Sequence, residues 1–191
     1  MSPRHTAIVK TGLVLFLAML PMAGAFAVEP SNICDFYGYT DDPDPTGTNV
    51  RSGPGTDNPV LTVLPQSIDA DGFTPQFHII GFDNGWFEIE DVNTGDYDGI
   101  GAQKLFAGPG WISASLVYFD IEDQYLTGAP SPDAAKTIDL IAEPWAAKSV
   151  FLEKVHACQG RFVDVTLTNR AGLSARGWAS DVCGNQATTC S

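Results

Sequence analysis

Positive charge is what this chain has least of. Its 191 residues hold 10 Lys and Arg against 23 Asp and Glu, a formal net charge of −13. Between residues 28 and 123 the shortage is extreme, with 17 acidic residues facing only Arg51 and Lys104, whereas residues 124–191 hold six of each sign. Nucleic acid and anionic lipid both require clustered Lys and Arg, so the first segment excludes them as partners. It favours a cationic or neutral ligand over an anion. The asymmetry also divides the chain into two units of different electrostatic character.

Catalytic signatures are missing as well. The chain has no Gly-x-Ser-x-Gly, no His-Glu-x-x-His and no phosphate-binding loop, the patterns that would place a nucleophile, a zinc pair or a nucleotide. Asp41-Asp42-Pro43-Asp44-Pro45 and the trio Asp91, Asp96 and Asp98 lack the EF-hand spacing and its terminal Glu, and read as solvated turns. His156-Ala157-Cys158 with Cys183 and Cys190 has the donor types of a zinc site. In an exported chain, however, an even number of cysteines reads as disulfides. The expectation is therefore no enzyme, no cofactor and no metal. Cys34, Cys158, Cys183 and Cys190 form two bridges of open connectivity. Three of them lie in the second half, so Cys34 either joins the halves or stays free.

Long hydrophobic runs are absent beyond the first 27 residues. Arg4 and Lys10 precede an apolar stretch within Thr11–Pro21, and Ala25-Phe26-Ala27 follows. A basic start, a short apolar run and a small-x-small site define a cleaved signal peptide, residues 1–27. The run is shorter than the ~20 residues a span needs. The chain is thus expected in the periplasm or outside the cell, without membrane insertion after cleavage.

What is present is strand periodicity, repeated. Trp86-Phe87-Glu88-Ile89-Glu90 alternates, so Phe87 and Ile89 share one face and Trp86, Glu88 and Glu90 the other. Asn84-Gly85 before it suits a tight hairpin between this strand and Phe77-His78-Ile79-Ile80. A shift of 76 lays Val50 on Leu126, Leu64 on Leu140, Ile79 on Val155, Trp86 on Phe162, Phe87 on Val163 and Ile89 on Val165. Gly110-Trp111-Ile112-Ser113 lies on Gly177-Trp178-Ala179-Ser180 at a shift of 67, so the first unit carries a nine-residue insertion between Ile89 and Gly110. Short, closely spaced strands in two copies predict an all-β chain of two small barrels, residues 33–123 and 124–191.

Asn49-Val50-Arg51-Ser52-Gly53-Pro54, the apolar run Val60 to Leu64, then Gly85-Trp86 and Gly110-Trp111 resemble the signature of the bacterial SH3 family. The resemblance covers about residues 45–119. The second unit departs from it, with Leu126-Thr127-Gly128-Ala129-Pro130 at its start and Phe162 in place of Trp. It is similar to a divergent second copy. The family implies two tandem SH3-like β-barrels and non-catalytic binding of cell-wall (peptidoglycan) peptide, glycan or an envelope protein. The alternative is a structural protein of the periplasm that docks another chain without binding the wall.

Trp86 and Phe162 occupy equivalent positions off the core face, where an aromatic can floor a groove or pack one module on the other. Glu88 shares that face. Tyr97 lies in the Gly-rich insertion Asn93–Gly101, a candidate recognition loop. These four are the ligand-binding candidates. Trp111 and Trp178, each beside a glycine, are expected in the core.

Overall fold

The computed structural model describes residues 32–96, 101–145 and 150–187, so the expected signal peptide lies outside the described residues. The described chain is all-β, with one 3-10 turn at Ala114–Leu116 and no helix long and apolar enough to cross a membrane. The first sheet contains β1 (Ile33–Thr40), β2 (Thr48–Arg51), β3 (Val60–Leu64), β4 (Gln76–Asp83), β5 (Trp86–Asn93), β6 (Lys104–Phe106), β7 (Gly110–Ser113) and β8 (Val117–Tyr118). Its order is β3-β2-β7-β5-β4-β1-β8, with β6 added to β5. After β9 (Asp120–Ile121) come β10 (Tyr125–Thr127), β11 (Lys136–Asp139), β12 (Val150–Gln159) and β13 (Phe162–Asn169). With β14 (Ser174–Ala179) these form a second sheet of order β11-β10-β14-β13-β12, and β15 (Val182–Cys183) pairs with β9.

The two sheets share one wiring. The order β3-β2-β7-β5-β4 becomes β11-β10-β14-β13-β12 strand for strand, and the registers agree under the sequence shifts. Ile79 faces Ile89 and Phe82 faces Phe87, while Val155 faces Val165 and Cys158 faces Val163. Phe87 faces Ile112 as Val163 faces Ala179. Val50 faces Thr62 as Leu126 faces Ile138.

Neither sheet closes into a barrel, a correction to the expected architecture. In the first sheet β1 takes the outer edge of β4 and hands the sheet on to β8, which leaves β3 at the far side as an open edge. In the second, β11 and β12 end the sheet without meeting.

The turns follow from local chemistry. Asn84 and Gly85 both have positive φ, 49° and 83°, the geometry an Asn-Gly hairpin supplies. The Arg51 guanidinium donates to the carbonyls of Thr56 (2.9 Å) and Asn58 (2.8 Å), and the Asn58 amide donates to Pro54 O at 3.0 Å. The Asn-Val-Arg-x-Gly-Pro signature is thus a self-clasped loop in which Arg51 satisfies carbonyls that the turn leaves unpaired.

Alternation along the strands sends Phe36, Val50, Phe77, Ile79, Phe87, Ile89 and Ile112 inward, and likewise Leu126, Val155, Val163, Val165 and Leu167. They belong to one buried cluster that runs through both halves. Phe36 sets its ring edge-on to Phe87 at 5.9 Å and to Phe119 at 5.1 Å. Trp111 and Trp178 are half-buried, outside this cluster. Their strands bury Ile112 and Ala179 instead, because the flanking glycines sit in the inward phase.

The halves are joined covalently. Cys34 is bonded to Cys158, with Cα atoms 5.3 Å apart and 124 residues between them in sequence. Beside the bridge, Asp35 N donates to Gly160 O (2.8 Å) and Gly160 N to Ile33 O (2.7 Å). Cys183 is also disulfide-bonded, and Cys190 lies outside the described residues. A buried disulfide is compatible with an exported protein.

Candidate functional site

From the end of β8 the chain runs through β9 as a connector, Tyr118–Asp123, beside the second sheet. There it faces Leu140, Ile141, Val150, Phe151, Leu152, Leu167 and Arg170 across a cleft of about 660 Å³. The floor is apolar: Phe119, Leu140 and Leu167 are buried. Ile141 and Phe151 stand at 58% and 46% exposure, large apolar side chains open to solvent at the same cleft.

The rim is acidic. Burial raises the Asp120 carboxyl above its ordinary range. Burial also raises the Tyr118 hydroxyl, reinforced by the negative charges of Asp120 and Asp41. Asp123 has a structural duty: its carboxylate accepts from Ser180 N (2.7 Å), Asp181 N (2.8 Å) and Ser180 Oγ (3.0 Å), pinning the connector to the turn after β14. Glu122 is exposed, and Arg170 is the cationic residue of the lining. An apolar floor below a polar rim can hold a small ligand or a peptide. The acidic excess suits an amine-bearing or neutral occupant.

The candidates from the sequence lie elsewhere. Trp86 opens β5 and Phe162 opens β13, equivalent places with equivalent half-burial. No ring contact joins them among the described residues. The turn before Trp86, Phe82–Gly85, instead borders a smaller cleft against Lys154, Val155 and His156 of β12. Glu88 is half-buried and lies over Gly81, where a Cβ would come within 3.0 Å of its Oε2. Tyr97 lies outside the described residues. None of the three described candidates lines the larger cleft.

A second cluster also escaped sequence reasoning. His78 Nε2 meets Asp35 at 2.9 Å and Nδ1 meets Glu90 at 3.3 Å, with the Tyr37 ring stacked on the imidazole at 5.0 Å. It ties β1, β4 and β5 together on the outer face. Near the Cys34–Cys158 bridge, His156 hydrogen-bonds Thr166 Oγ1 at 2.7 Å. Burial, then the charge of Arg176, holds its pKa below the usual histidine value. Its neighbour Cys158 is in the disulfide and has no thiolate to offer as nucleophile or ligand.

The cleft was invisible in the sequence because its walls come from residues 118–123, 140–141 and 150–152 together with Leu167 and Arg170, far apart along the chain. The one local signal was Asp120 set between Phe119 and Ile121, a carboxylate in an apolar run. No family model matches the chain, and no curated protein or solved structure matches it significantly.

Proposed function

We propose that this chain is an exported, non-catalytic binding protein built from two SH3-type units. Its site would recognise a short peptide carrying apolar and amine groups, such as the stem peptide of the cell wall. The observation that carries the reading is the cleft of about 660 Å³, its floor apolar and its rim acidic, held between the connector and the second sheet. The duplicated strand order and register support the two-unit part. The signature around Arg51 supports the kinship, though its polar groups are spent on the loop itself. The Cys34–Cys158 bridge is in keeping with export.

The exposed Ile141 and Phe151 favour a second reading, a protein partner docked at the same cleft. Co-sedimentation of the purified protein with murein sacculi separates the two. Pelleting that persists across a range of salt supports wall binding, and no pelleting at any salt removes it. Phe151→Ala should weaken pelleting severalfold while leaving the thermal midpoint within a few degrees, because its side chain is already half in solvent. An equal loss with Trp86→Ala would move the site to the outer face of β5.

A further inference from the structure

The open edge of the first sheet is apolar. Among the described residues β3 pairs with β2 alone. On it Val60 is 44% exposed, Leu61 49% and Val63 50%. No charged residue occurs from Asn58 to Ser67. Such a strand offers unpaired backbone N–H and C=O groups beside exposed aliphatic side chains, a combination that proteins ordinarily blunt with charge. The second sheet of this same chain does so. At its equivalent edge, β11 has Lys136 where β3 has Val60 and Asp139 where β3 has Val63. The Lys136 ammonium lies 3.8 Å from the centre of the Tyr125 ring. One scaffold thus carries a guarded edge and an unguarded one.

We propose that β3 is a dimerisation edge, taken up by β3 of a second copy of this chain in antiparallel, two-fold pairing. Charge fixes where a second copy can dock. Residues 28–123 hold 17 acidic side chains against two basic ones, so two copies repel over most of this surface. At the neutral stretch 58–67 they can meet without setting carboxylate against carboxylate. A strand from a basic partner would find no acid on β3 to pair with. A two-fold axis centred on Thr62 sets Leu61 of one copy opposite Val63 of the other, and the reverse, so four aliphatic side chains pack on one face. Pro59 and Pro65 bracket the strand. Proline lacks the N–H that a longer ladder would use, so pairing stops at the five residues between them. This inference is independent of the ligand proposed for the cleft.

Sedimentation equilibrium of the purified protein over a wide concentration range is the test. A mass rising to twice that of the chain, with the dimer strengthened by added salt as repulsion is screened, is the expected result. The double variant Val60→Lys, Val63→Asp gives β3 the residues of β11 at two already exposed positions. It should keep the wild-type thermal midpoint and sediment as a monomer. Thr62→Cys provides a second measure, because mild oxidation should trap a covalent dimer that Ser131→Cys does not form. A monomer at every concentration, assembly beyond the dimer, or a double variant that dimerises as tightly as wild type would each overturn the proposal.

Discussion

At the scale of single residues, polar side chains in this protein mostly hold the backbone in place. Arg51 clasps its loop, Asp123 pins the connector, and Asp164, nearly buried, receives the Arg176 guanidinium as a fork with contacts of 2.6, 3.0 and 3.2 Å. His156 has a consequence for pH. Its folded pKa is lowered, first by burial and then by Arg176, while the unfolded chain takes up the proton near pH 6.5. The stability that the neutral imidazole contributes is therefore complete above about pH 6.5 and is lost as pH falls toward the folded value. The urea midpoint should drop between pH 7.5 and 5.5, and His156→Gln should flatten part of that drop. An unchanged slope in the variant would assign the loss to other groups. None of this was legible beforehand, since the sequence showed His156 only as a neighbour of Cys158.

At the scale of elements, the repeated Gly-Trp pairs reveal their use. A Cβ on Gly110 would collide with Val50 Cγ1, and one on Gly177 would come within 2.8 Å of Leu126 Cβ. Val50 and Leu126 are equivalent under the shift of 76, as Gly110 and Gly177 are under 67. In each unit the glycine lets one strand pass tightly against the buried aliphatic of its neighbour. Gly110→Ala and Gly177→Ala should each cost about 1–3 kcal/mol through overpacking. Denaturant titration checks this, and a near-neutral result at either position would show that its strand can retreat. The hairpins and strand phases were readable because period two and Asn-Gly turns are local properties. The tryptophans were misassigned to the core because sequence shows that Gly and Trp are adjacent, not which of the two faces inward.

At the scale of the whole molecule, two similar sheets are locked by a bridge that spans 124 residues. Closing so long a loop removes much of the freedom of the unfolded chain, worth roughly 5 kcal/mol on a chain-entropy account. The double variant Cys34→Ala, Cys158→Ala should lose about 2–5 kcal/mol. Loss of a cooperative transition for the second sheet would show that the bridge also holds the halves in register, and a midpoint equal to wild type would deny it any stabilising part. The all-β class, the turns, the charge division and the internal shift of 76 are all legible in the chain, because each depends on nearest neighbours or on counting. Only packing in three dimensions settles that Cys34 pairs with Cys158, that β1 takes the edge of β4 so the sheet stays open, and that the cleft beside the connector draws its walls from segments far apart in sequence. Those outcomes depend on which of several satisfied edges and apolar faces meet in space. That competition is settled by burial across the whole chain, and no local pattern records it.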